Sequence, residues 1–262
     1  MCRIWCYSNI DNATKLTDLD CIIQTIDALS SNTKKQIFIG SIKKNIANKF
    51  PSKTTYNLSN CIKTIKELNV PILTTNFDTY ISDAIDAKQK KLTLQNERYK
   101  FSDFYPWNLY YSKEEITNPL EGFAVWHING ITRYHRSIRL GLSDYMGCVE
   151  RARKMLQGQN FNEYFSGKHQ EYWVGYNTWL HIIFNKSLFI FGLSLDENEV
   201  FLRWLLIQRA KYSKMFNIPL NGWYIGEVNE GKKFFLEQLG FEIIEIQESN
   251  YAPLYEALEA KY

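Results

Sequence analysis

The stretch Val70-Pro71-Ile72-Leu73-Thr74-Thr75-Asn76-Phe77-Asp78 decides how the rest of this chain is read. Val70 to Thr75 is β-prone and lacks polar alternation, the pattern of a strand buried on both faces of a sheet. Its tip then delivers two hydroxyls, an amide and a carboxylate. The spacing of Ile81, Ala84 and Ile85 predicts a helix directly after them. A buried strand, a polar tip and a helix form the repeating unit of a parallel α/β sheet. In such sheets ligands bind outside the carboxyl ends of the strands.

Working downstream, Phe123 to Asn129 is predicted as a second strand closed by Gly130, and Ile138 to Leu142 as a short third one. Ser187 to Phe191 is a buried strand ended by Gly192; Gly222 to Gly226 and Glu242 to Ile246 are the last two. Helices are expected over 144–185 (broken near Ser166-Gly167), Glu197 to Ser213, Gly231 to Leu239, and at Leu254, Tyr255 and Leu258. Upstream, Ile22, Ile23, Ile26 and Leu29 recur at helical spacing, as do Ile42, Ile46 and Phe50. The stripe Leu58, Ile62, Ile65, Leu68 predicts a helix ending near Asn69. Residues 88–120 are polar, aromatic and poorly periodic, and read as an insertion with one hairpin at the sheet's edge. The whole, 1–262, is expected to be a single α/β domain. It is a Rossmann-like parallel sheet with helices on both faces, a mostly helical lead-in over 1–57 and a helical or irregular insertion.

Composition narrows the function. The 262 residues carry a net charge of +3, too weak to argue for a nucleic-acid partner. The short basic runs at Lys34-Lys35, Lys43-Lys44 and Lys88 to Lys91 read as solvated surface. The cysteines are Cys2, Cys6, Cys21, Cys61 and Cys148, with no Cys-x-x-Cys pair. A disulfide framework and a structural zinc site are unsupported, even if Cys2 and Cys6 share a helix face. Reduced thiols in a cytoplasmic protein are the simpler expectation. No apolar run reaches the length of about 18 residues that a membrane span needs, so no membrane is expected.

Three strand ends carry polar residues. At the first, Asn76 or Asp78 suits a helix N-cap; alternatively, the Asn76 amide orients a water or a ribose hydroxyl. At the second, Val125-Trp126-His127-Ile128-Asn129-Gly130, strand alternation places His127 and Asn129 on one face. A satisfied structural histidine is one reading of His127 and a catalytic group the other. Gly130 lets the backbone turn sharply or approach a ligand. At the third, Asp196 with Glu199 has the spacing of a capping box. Its negative charge would repel phosphate and suit the hydroxyls of a sugar.

Taken in order, Ile72-Leu73-Thr74-Thr75-Asn76-Phe77-Asp78, His127-Ile128-Asn129-Gly130 with Ser137 and Tyr145, and Phe191-Gly192-Leu193-Ser194-Leu195-Asp196 resemble the sirtuin-like (silent information regulator two) superfamily. The likeness spans about Leu58 to Leu258 and is greatest to bacterial sirtuin-like NAD hydrolases of antiphage defence. It implies that NAD is the substrate, that no metal takes part, and that Asn76 with His127 or Asn129 carries the cleavage. Thr75, Asp78, Gly130, Ser137, Gly192, Ser194 and Asp196 would line the nucleotide site. It also implies a homo-oligomer, held in check until a signal or sensor partner arrives.

The chain departs from the family pattern twice. The family reads His-x-His-Gly, and Asn129 stands where its second, catalytic His would be. An amide cannot act as a general base, a role that contributes about 10²–10⁴-fold. The family also opens with a strand and a Gly-Ala-Gly-type loop that approaches the NAD phosphates. The earliest glycine here is Gly40, read as part of a helix or turn. The expectation is therefore a truncated or reduced member: an NAD glycohydrolase, or a sirtuin-like nucleotide-binding or assembly module without catalysis. The absent zinc cysteines argue against protein deacylation.

Overall fold

The computed structural model describes residues 2–5, 32–49, 62, 65–93, 101–102, 104–157, 159–165, 167 and 170–246. The helices expected at Ile22 to Leu29 and Leu254 to Leu258 lie outside them, as does Cys6. One mixed sheet organises the chain. Its strands are β1 (Cys2–Trp5), β2 (Ile72–Thr74), β3 (Lys88–Lys91), β4 (Leu109–Ser112), β5 (Val125–His127), β6 (Leu188–Phe191), β7 (Gly222–Gly226) and β8 (Phe241–Glu245), in the spatial order β3-β4-β5-β2-β1-β6-β7-β8. From β5 to β8 all neighbours pair in parallel. The hairpin β3–β4 extends the sheet antiparallel to β5. The predicted hairpin exists, therefore, and makes the sheet mixed rather than wholly parallel.

Side-chain alternation explains why β2, β5 and β6 are almost wholly apolar. Ile72, Val125, Phe191 and Ile225 face one side, and Leu73, Trp126, Ile190 and Tyr224 the other. The first side is covered by Ile62 and Ile65 and by Ile81 and Ile85, which flank β2 in sequence. Ile81 belongs to helix α2 (Tyr80–Ala84) and Ile85 is its C-cap. The second is covered by α3 (Gly141–Leu156), α4 (Gln159–Phe165), α5 (Trp179–Asn185), α6 (Val200–Phe216) and α7 (Glu230–Gln238). Burial on both faces leaves no room for polar alternation.

Three expectations need correcting. Residues 2–5 form a central strand, not helix; β1 pairs Trp5 with both Thr74 and Phe191. Cys2 therefore lies in a strand rather than on a helix. Helix α1 (Asn32–Lys49) does contain Gly40, as expected. Secondly, Ile138 to Leu142 is not a strand. The backbone is extended at Ile138 and Leu140, but β5 already has β4 and β2 on its two edges, so the segment finds no pairing partner and runs into α3. Thirdly, Lys43 is not solvated. It is buried and paired with Asp144, because Ile39, Ile42 and Ile46 of α1 pack on Phe77, Ile138 and Leu140.

Candidate functional site

The carboxyl ends of β5, β2, β1 and β6 follow one another along one edge of the sheet, which makes the first two polar strand ends neighbours and leaves the third further along that edge. Thr74 pairs with His127, so the chains leaving β2 and β5 start at the same level. The buried Thr74 hydroxyl accepts from the Asn76 N–H at 3.1 Å, which turns the chain there. Asn76 is half-buried at the surface of that turn.

His127 joins the first two ends. Its Nδ1 lies 3.1 Å from the Asn76 carbonyl oxygen and its Nε2 3.2 Å from the Ser82 hydroxyl. A carbonyl can only accept, so Nδ1 carries the proton; Nε2 then accepts from Ser82. The ring stands edge-on to Tyr111, with centroids 5.3 Å apart. Burial pushes the imidazole down to about 4, against the hydrogen bond to Asn76, which favours the charged form. His127 is thus neutral at pH 7 and has both nitrogens engaged. The geometry matches a histidine that braces the backbone of Asn76. Ser82 was not singled out from the sequence, although its place one turn into the helix after Asn76 could have flagged it.

The next residues differ from the strand-based reading. β5 ends at His127, and Gly130 N–H donates to the His127 carbonyl at 3.3 Å. Asn129 therefore lies in a turn and does not share a strand face with His127. Its carbonyl accepts from Arg139 N–H at 2.8 Å. Gly130 has φ +95°, and a Cβ there would sit 2.2 Å from the Ser137 carbonyl oxygen, so only glycine fits. The Ser137 hydroxyl accepts from Ile131 N–H at 2.9 Å and donates to the Tyr134 carbonyl at 2.7 Å. Both residues shape the loop. A cavity of about 200 Å³ opens beside it, lined by His127, Ile131, Tyr134 and Ser137 and by Gln89 and Tyr111 of the hairpin.

Thr75 is buried and its hydroxyl has no hydrogen-bond partner. Asp78 accepts from Tyr80 N–H at 2.9 Å and starts α2 from one residue before its N-cap, Thr79. Burial pushes its carboxyl up from the usual carboxylate range.

The third end stands apart. The order of strands puts β1 and β2 between β6 and β5, a separation of roughly 14 Å at about 4.8 Å per strand. Gly192 takes φ 65° and Leu195 φ 49°, which turn the chain. Exposed Ser194 donates to Asp196 Oδ2 at 3.1 Å, and Asn198 N–H to Oδ1 at 3.1 Å. Asp196 therefore closes a local turn; the expected capping box does not form, and the Glu199 side chain at the N-cap of α6 makes no capping hydrogen bond. Lys232 Nζ donates to the Ser194 carbonyl at 3.0 Å.

Among the described residues no three His, Cys, Asp or Glu side chains cluster as metal ligands, and no helix is long and apolar enough to cross a membrane. Cys148 is buried, and desolvation pushes its thiol up to about 12. No protein-family model matches this sequence, and no curated protein sequence is significantly similar to it.

Proposed function

We propose that this protein binds NAD along the carboxyl edge of its sheet and hydrolyses it to nicotinamide and ADP-ribose. One observation carries the reading: Asn76, which the resemblance marks for cleavage, is held by His127, the histidine nearest the family's catalytic position (Asn129 here), through the 3.1 Å contact between His127 Nδ1 and the Asn76 carbonyl. The strand order adds support. Numbered among themselves, the parallel strands run third-second-first-fourth-fifth-sixth, the Rossmann-like arrangement, which reverses between β1 and β6. Ligands of such sheets sit at that reversal.

In the reaction the bond from ribose C1′ to the nicotinamide nitrogen breaks, and a water oxygen takes its place with loss of a proton. The transition state is oxocarbenium-like, so the protein must fix the ribose and the water. The Asn76 amide, which can donate and accept, would orient both. His127 would act as a positioning residue, holding the Asn76 backbone. The defence role, the oligomer and the sensor partner expected from the resemblance belong to this proposal as well.

A second reading is a nucleotide-binding module without turnover. It is favoured by the engaged nitrogens of His127 and by Asn129 in place of a histidine. Nicotinamide release from NAD by the purified protein separates the two. Asn76→Ala should lower release at least 100-fold with the fold intact. Binding of ADP-ribose without release, and release gained in Asn129→His, would establish the second reading instead.

A further inference from the structure

A positively charged cluster is buried at the first turn of α3, next to the candidate site. The backbone is extended at Ile138 and Leu140, whose side chains pack on α1, so Arg139 points the opposite way. Its guanidinium lies over the rings of Phe104 and Tyr105, at 4.6 and 4.1 Å. Arg139 is only 1% exposed, and Nε, Nη1 and Nη2 all lack a hydrogen-bond partner. The carboxylate facing it, Asp144 Oδ1, is 3.8 Å away, close enough for an ion pair and too far for a hydrogen bond. The other Asp144 oxygen is taken by Leu140 N–H at 3.0 Å and by the ammonium of buried Lys43. Two buried cations thus share one carboxylate.

A guanidinium has five N–H donors and keeps its charge in proteins. The two rings stabilise its faces by cation–π contact, which leaves its N–H edge unsatisfied. Buried charge in that state calls for a partner. Planar donor forks match anions with several oxygens, and the start of a 16-residue helix adds positive potential. The cluster is tied to the candidate site through the Arg139 N–H bond to the Asn129 carbonyl. Phe104, one of the two rings over the guanidinium, is 41% exposed, so access to Arg139 requires that ring to move.

We infer that Arg139, with Lys43 and the first turn of α3, forms a binding site for a phosphoryl group. The group belongs either to the pyrophosphate of the dinucleotide itself or to a separate phosphate-bearing effector. The first source rests on the proposed NAD reading.

Calorimetric titration with inorganic pyrophosphate tests the site directly. Saturable binding is expected, weakened at least tenfold in Arg139→Gln. Should that variant not fold, Arg139→Lys, which keeps the charge and loses the planar donor fork, replaces it, with weakened pyrophosphate binding again expected. No saturable binding, or equal affinity in the folded variant, overturns the inference. Competition between ADP-ribose and pyrophosphate assigns the site to the substrate; independent binding of the two assigns it to an effector. Pyrophosphate binding by a protein that releases no nicotinamide would leave this site standing and remove the NAD-cleavage reading.

Discussion

Acidification from pH 7.5 to pH 5 should cost this fold about 4 kcal/mol, through two buried histidines. His127 and His181 each place Nδ1 on a backbone carbonyl, that of Asn76 at 3.1 Å and that of Tyr176 at 2.8 Å. Burial lowers both imidazoles from 6.5 to about 4. Below pH 6.5 the unfolded chain takes up a proton on each ring, while the folded chain stays neutral until about pH 4. Stability is therefore complete above pH 6.5 and is lost progressively between 6.5 and 4. Each ring contributes about 2 kcal/mol of loss by pH 5 and about 3 kcal/mol by pH 4. Set against a typical stability of roughly 5–15 kcal/mol, the pair matters. Asp78 works in the opposite direction, since its raised carboxyl binds a proton more readily when folded. Urea unfolding followed by circular dichroism at both pH values, at constant ionic strength, measures the loss. His127→Asn keeps a donor near the Nδ1 position and removes the titration, so it should halve the pH dependence. An unchanged unfolding free energy between pH 7.5 and 5, or a His127→Asn variant with the full dependence, would refute the argument.

Two further substitutions probe the scaffold. Gly130→Ala forces a Cβ to 2.2 Å from the Ser137 carbonyl at φ +95°, and should destabilise by more than about 2 kcal/mol, lowering the Tm by roughly 5 °C. Buried Arg209 donates to the carbonyls of Ile183, Lys186 and Asn221 at 3.1, 3.3 and 2.8 Å, tying α5 and its exit to the start of β7. Arg209→Met strips those acceptors and should cost about 3 kcal/mol in chemical denaturation, with Arg209→Lys recovering part of it.

The apolar run at Ile72 to Thr74, the glycines after β5 and β6 and the spacing of α6 and α7 were legible because each is a local pattern. Local pattern also misled. Ile138 to Leu142 has strand composition, yet whether a strand forms depends on a free sheet edge, and none is open beside β5. Cys2–Trp5 has too few residues to show a period, and becomes a strand because β2 and β6 leave a slot between them. Asp196 and Glu199 have capping-box spacing, but the left-handed turn at Leu195 spends Asp196 on Asn198.

The sequence by itself determined that this is an α/β chain and which polar residues stand where strands end, since residue period and turn chemistry are set by neighbours along the chain. Only the tertiary structure decided which of those residues meet. Partners such as Ser82 for His127, or Asp144 for Lys43, come from distant segments. Whether a side chain is buried, neutral or left without an acceptor depends on what packs against it across the fold, and no local pattern encodes that.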